Sequence, residues 1–239
     1  SRAATPSRSC TPGGGRPRRA MIKLYVFLTS ATGTDPFRHR GAAALAELHR
    51  VAPTAMEYVQ TRASDRQLTD DPPPFAGAAE FRFDYAAPAV DAAANVAALA
   101  NLWADGVSVA GVVVGHERTI MRLPAHAHGQ GIKGVFPFDR KPGLSIDYFQ
   151  NYWWRTHGPI AARTEGALAY FQCHPLCQLY EDGRPGFDGV TELHWPDFAA
   201  AEAAMASRQM REDQSQDAQN FAEAGTVQLF MAEEEMVQP

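Results

Sequence analysis

Phe75-Ala-Gly-Ala-Ala-Glu-Phe-Arg-Phe-Asp84 and Phe187-Asp-Gly-Val-Thr-Glu-Leu-His-Trp-Pro196 decide the fold. Laid over one another at an offset of 112, they share Phe, Gly and Glu. The same offset places Met56-Glu-Tyr-Val-Gln-Thr-Arg62 over Leu168-Ala-Tyr-Phe-Gln-Cys-His174, with Tyr and Gln in common. At an offset of 110, Ile22-Lys-Leu-Tyr-Val-Phe-Leu28 lies over Ile132-Lys-Gly-Val-Phe-Pro-Phe138. Three blocks in one order read as two copies of a module of about 110 residues. The join is 122–131, which holds Pro and Gly as a linker should. The expected organisation is a leader over 1–20, a module over 21–121, the linker, and a second module over 132–239.

Each copy reads strand, helix, strand, strand, helix, strand. In the second, 132–138 is a short apolar run suited to a strand. Ser145 can cap a helix that carries Asp147 in its positive first turn. Ile146, Phe149, Trp153 and Ile160 form one apolar stripe. Pro159 should disrupt or end the regular helix near His157-Gly158. Strands are expected at 167–174 and 187–195, a long Ala-rich helix over 197–221, and a last strand at 226–231. In the first copy the strands are 22–28, 55–62, 78–85 and 107–114, with helices near 38–50 and 91–103. The class is α+β: two tandem ferredoxin-like modules with helices on one face of each antiparallel sheet. The uncovered faces still carry apolar residues, so packing them together gives an α+β barrel.

Composition narrows the function. The formal charge of −5 averages unlike parts. Residues 1–20 hold five arginines and no acid, while the rest holds 17 basic against 27 acidic groups. A body that acidic is unsuited to nucleic acid and to anionic membrane. No run approaches eighteen apolar residues. The Ser-, Pro-, Gly- and Arg-rich 1–20 lacks the apolar middle of a secretory signal and reads as an expression-derived or upstream leader ahead of a start at Met21. Cys10, Cys173 and Cys177 make neither a disulfide framework nor a zinc set, which fits a reduced, cytoplasmic setting. There is no GxGxxG after a strand, P-loop, GxSxG or HExxH. His126 and His128 read as loop histidines.

The second copy resembles the EthD family of dimeric α/β-barrel proteins. Arg140-Lys-Pro-Gly-Leu-Ser145, Tyr148, Tyr152, Trp153 and His157-Gly158-Pro159 carry the resemblance, continued by 170–174 and by Phe187-Asp-Gly-Val with Glu192. It spans most of 132–237 and extends weakly over 22–121 through the repeat and the shared late Glu117 and 233–235 region. The first copy departs where it matters: Leu45 stands opposite His157, and His49 is out of register. The resemblance implies a cofactor-independent lyase, dehydratase, cyclase or isomerase acting on a small hydrophobic, aromatic or polyketide-like compound.

His157 is the candidate acid–base residue, since histidine titrates near neutrality and here ends a helix. Strand alternation groups Tyr170, Gln172 and His174 on one face, and Glu192 with His194 on one face of theirs. The catalytic set is expected to be His157, Tyr170 and His194, with Tyr152, Trp154, Gln172, His174 and Glu192 contacting substrate. Trp153 reads as core. Tyr58, Gln60, Arg62, Glu80 and Arg82 are the first copy's counterparts, and the recurrence of Glu80 and Glu192 also fits a structural pair. No metal or cofactor is expected. The alternatives are a haem-binding or oxygen-using barrel, with His157, His174 or His194 as axial ligand, or a non-catalytic binding module. Exposed strand edges point to a homodimer.

Overall fold

The computed structural model describes residues 21–31, 33, 35–127, 129–181, 183 and 185–237. The leader with Cys10, His128 of the HxH pair, and Asp182 lie outside these residues. Eight strands are formed: β1 Ile22–Ser30, β2 Glu57–Ala63, β3 Gly77–Phe83, β4 Val107–Met121, β5 Ile132–Phe138, β6 Ala169–Pro175, β7 Gly189–Trp195 and β8 Phe230–Val237. The first half adds helix α1 (Gly41–Val51) and helix α2 (Ala86–Ala94), the latter running into a 3-10 turn at Val96–Leu102. The second half adds α3 (Ile146–Tyr152), α4 (Gly158–Ala161), α5 (Phe198–Ala206) and α6 (Ser215–Ala218). Two π-helical turns, Trp153–His157 and Gln209–Gln214, join α3 to α4 and precede α6.

All strand pairs are antiparallel, and the order β1-β3-β2-β8-β5-β7-β6-β4 closes on itself. The first half contributes β4-β1-β3-β2 and the second β8-β5-β7-β6, the same internal order, with seams at β2·β8 and β4·β6. The chain is an α+β barrel built from its own eight strands. Each strand has a neighbour on both sides, so the open edges expected to drive dimerisation are used up within the chain.

Alternation sorts the side chains between two environments. On β1, Ile22, Leu24, Val26 and Leu28 face outward and pack with Leu48, Leu99 and the rest of the helix layer. Tyr25 and Phe27 face inward, joining Val113, Val135, Val190 and Phe230. In the second half Leu193, Trp195 and Met231 pack outward on Ala201 and Ala204. Phe138, Phe149, Trp153 and Phe221 form a separate aromatic cluster. Each such fully buried aliphatic or aromatic side chain contributes about 1.5–3 kcal/mol.

Several boundaries differ from those expected. β8 is Phe230–Val237, not 226–231, because residues 224–226 form a 3-10 turn and two of the strand's acids, Glu234 and Glu235, are paired. Glu234 meets Lys133 at 3.1 Å, and Glu235 meets Arg62 at 3.2 Å. β4 runs on to Met121 for a similar reason, its polar end lying in the seam against β6. α2 begins at Ala86 with Pro88 in its first turn, where a missing N–H costs nothing. The helix expected over 197–221 starts from the Asp197 cap, breaks at Ser207 and passes through a π turn.

Candidate functional site

The Ser145 hydroxyl accepts from the Tyr148 N–H at 3.2 Å, fixing the start of α3 with Asp147 in its first turn. The helix reaches His157 through a π turn, in which Gly158 N–H bonds the Trp153 carbonyl five residues back. Pro159 sits in the first turn of α4. The expected disruption is this widening, and the backbone stays helical through His157-Gly158. Gln172 on β6 donates to the same Trp153 carbonyl at 3.0 Å, tying the widened turn to the sheet.

His157 is 7% exposed. Its Nδ1 lies 2.8 Å from Asp217 Oδ2 on α6, and its ring packs on Phe221. Asp217 Oδ1 accepts from the Tyr152 hydroxyl at 2.8 Å, and Asn220 donates to that hydroxyl at 3.0 Å. Burial pushes the imidazole below its usual range, and Asp217 opposes this. Tyr152 is held protonated by burial and by Asp217. With Nδ1–H given to the carboxylate, Nε2 keeps a free lone pair and has no hydrogen-bond partner among the described residues. Asp217 and Asn220 also line a surface groove of about 420 Å³ with Ile160, Arg163, Glu212 and Gln216.

Tyr170, Gln172 and His174 do share a face, and it points at the helices. Gln172 Nε2 donates to Tyr170 Oη at 2.6 Å, and its Oε1 lies 2.9 Å from His174 Nε2. That arrangement makes His174 an Nε2–H donor and leaves its buried Nδ1 without a partner. Its ring stacks on Trp153 at 4.3 Å. Gln60 in the first half makes the matching set: Nε2 to the His39 carbonyl and to Tyr58 Oη, and Oε1 to Arg62. These residues fill the layer between sheet and helix, and they brace the turn instead of lining a cavity.

Glu192 and His194 point the other way, into the barrel. The register Phe171↔Glu192 and Ala169↔His194 places them opposite the inward side chains of β6. One cavity bounded by Tyr152, His157, Tyr170 and His194 is therefore not formed; the sheet separates its members. Glu192 is held by Lys23 at 2.7 Å and by the Tyr25 hydroxyl, while Glu80 is held by Lys133 at 2.6 Å and by Thr61. Burial opposes charge on Glu192, yet Lys133 and Lys23 hold it well below the usual carboxylate range. Glu80 and Glu192 are thus bridged by two lysines, Lys23 and Lys133. Trp154 does not line the groove beside Asp217, and the guanidiniums of Arg118 and Arg155 stand 3.9 and 4.5 Å from its ring centre.

Asp217 went unread in the sequence because it lies 60 residues from His157, inside an Ala-rich helical stretch. Lys23 and Lys133 left a signal: each interrupts an apolar strand at the same place in its block. Among the described residues no group of His, Cys, Asp and Glu is placed to hold a metal ion, and no helix is long and apolar enough to cross a membrane.

The family model of the EthD domain matches residues 141–225. No curated protein matches the chain in sequence. Among solved structures, an anthrone oxidase-like protein is similar at 10% identity over 92% of this chain and 94% of that chain, with a TM-score of 0.57. A chlorite dismutase variant from Candidatus Nitrospira defluvii is similar at 8% identity over 90% and 92%, with a TM-score of 0.50. An EthD family protein from Bacillus halodurans matches at 18% identity, covering 42% of this chain and 94% of its own, with a TM-score of 0.35. At such identities the first two likenesses are of fold alone. The segment that matches the EthD domain model, 141–225, holds both His157 and Asp217 and lies within a closed α/β barrel.

Proposed function

We propose that this protein is a cofactor-independent acid–base enzyme of the lyase or dehydratase type, with His157 as its proton carrier. The observation that carries the reading is the Asp217 carboxylate, which binds His157 Nδ1 through one oxygen and Tyr152 through the other. A histidine so oriented presents Nε2 as a base. Nε2 takes the proton from a carbon beside a carbonyl, and the electron pair left behind expels a hydroxyl from the next carbon. The imidazolium returns the proton to that oxygen, so water leaves, a carbon–carbon double bond forms, and neutral His157 is restored. The polar walls of the adjoining groove favour a compound bearing several oxygens, as aromatic polyketide-like molecules do. Tyr170 and Gln172 support the turn from behind.

The test reads proton abstraction alone. The enzyme in D₂O is offered a panel of aryl ketones and β-hydroxy aryl ketones, and exchange of the α-proton is followed by NMR. Wild type exchanges at least one member, and His157→Ala, folded by circular dichroism, does not. Undiminished exchange in His157→Ala sinks the assignment. A haem reading fits the residues less well. An axial ligand must turn a free ring nitrogen toward space for a porphyrin, and His174, buried between sheet and helices with its Nε2 bonded to Gln172, does not do so.

A further inference from the structure

The two π turns are built alike, and each delivers one member of the His157–Asp217 pair. The first, Trp153–His157, ends where Gly158 N–H bonds the Trp153 carbonyl, and Gln172 donates to the same oxygen at 3.0 Å. The second, Gln209–Gln214, ends where Ser215 N–H bonds the Met210 carbonyl, and the Ser215 hydroxyl donates to the same oxygen at 2.8 Å. α4 starts next to His157, and α6 carries Asp217. Widened turns of this kind recur where a helix must aim a functional side chain.

A chain of uncharged side chains ties the two segments together. The Ile160 carbonyl can only accept, so Gln209 turns Nε2 to it at 2.8 Å and presents Oε1 to Gln214. Gln214 answers with an N–H of Nε2 at 2.8 Å. The Thr164 hydroxyl gives its proton to the Ala161 carbonyl at 2.7 Å, so its oxygen accepts the other Gln214 N–H, also at 2.7 Å. Two backbone carbonyls thus fix the direction of every bond in the chain. Gln214 and Thr164 are buried, and Ala161 and Met210 belong to one apolar cluster beside them. His157, Ile160, Ala161 and Thr164 recur at helical spacing, as Gln214 and Asp217 do, so the chain and the acid–base pair lie on the same facing surfaces.

We propose that Gln214 is a positioning residue, which locks α6 against α4 through Thr164 and Gln209 and so holds the Asp217 carboxylate on His157 Nδ1. Its consequence for rate rests on the acid–base reading of His157, but its effect on the histidine does not. Gln214, Gln209 and Thr164 carry no charge, and the hydrogen bond of His157 is to Asp217. A change in the imidazole when they are replaced therefore reports where Asp217 stands.

The test follows the ring nitrogens of His157 by long-range proton–nitrogen NMR across a pH titration of the whole protein. Wild type should keep the proton on Nδ1 above the titration midpoint, because the partner of one ring nitrogen sets the tautomer. Gln214→Met keeps the length of the side chain and removes its donors, and Thr164→Val keeps the shape and removes the hydroxyl. Both should mix the tautomers and lower the midpoint, since Asp217 is what raises it. Thr164→Ser should restore wild-type behaviour. Leu48→Ala, in the core of the first half, should lower the unfolding temperature and leave the His157 signals alone. Exchange of the α-proton should fall by about tenfold to a hundredfold in Gln214→Met. Unmoved His157 signals in both Gln214→Met and Thr164→Val overturn the inference even where wild type exchanges protons, and so does an equal shift in Leu48→Ala. Shifted signals in a protein that exchanges no α-proton uphold the positioning and sink the proposed reaction.

Discussion

Lys23 and Glu192, 169 positions apart, meet at 2.7 Å inside the barrel. Each belongs to a different half, and both are essentially without solvent. Lys23 also reaches Glu80 at 2.8 Å and Glu117 at 3.2 Å. Burial alone would lower the lysine's pKa, but the carboxylates around it raise it above its ordinary value. Lys23→Met leaves these carboxylates short of a partner in a dry interior, a change that costs about 3–5 kcal/mol. Urea unfolding of the variant, followed by tryptophan fluorescence and circular dichroism, should show one shifted transition, since the ladder joins the halves. Two separated transitions would show that the halves unfold independently.

Asp217 gives a second prediction. Its charge raises the pKa of His157 against the lowering by burial. Asp217→Asn removes the charge, so the imidazole should titrate lower and act as a weaker base. The α-proton exchange rate should fall by about a hundredfold. The acid limb of its pH profile should move to lower pH, with the His157 ring resonances in NMR moving alike. A fall in rate with an unmoved profile would mean that Asp217 serves packing alone.

His174 should mark the protein's acid sensitivity. Burial, then the charges of Arg118 and His116, push it down to about 3. In the unfolded chain a histidine takes its proton near 6.5. Between these values the unfolded state binds a proton that the folded state does not. Stability therefore rises with pH across the window and is lost as pH falls from about 6.5 toward 3, by about 1.4 kcal/mol per unit from this residue. His174→Phe keeps the stack on Trp153 and leaves Gln172 Oε1 without its donor. It should be less stable at pH 7 by about 1–3 kcal/mol, yet lose less stability between pH 6 and 4. Parallel stability curves for the two proteins would contradict this.

The two described cysteines should differ sharply. Cys173 is buried in the barrel, and burial raises its thiol pKa, whereas Cys177 is exposed. Iodoacetamide labelling read by peptide mapping should modify Cys177 faster than Cys173 by about two orders of magnitude. Comparable rates in the native protein would show that the barrel opens often.

Much of the fold is legible from apolar alternation and from the matching blocks around Phe75 and Phe187. The side-chain groupings on β6 and β7 are also legible, since alternation puts Tyr170, Gln172 and His174 together, and Glu192 with His194. What alternation omits is the register between the strands. Phe171, not Tyr170, stands opposite Glu192, and that single step puts the two polar sets on opposite faces of the sheet. The end of β8 is hidden for another reason. Glu233, Glu234 and Glu235 look like a solvated run until Lys133 on β5 is placed beside Glu234 and Arg62 on β2 beside Glu235.

The closed order of strands has a consequence for how the molecule can change over time. A barrel assembled from two copies of one short chain must spell every position twice, so any substitution appears in both halves at once. Here each position is spelled once. Leu45 can serve the packing of one half while the aligned position in the other is a histidine beside an acid. The tether also removes dilution from the balance, because the halves meet at a fixed local concentration however little protein is present. One half is thereby free to specialise while the other holds the wall.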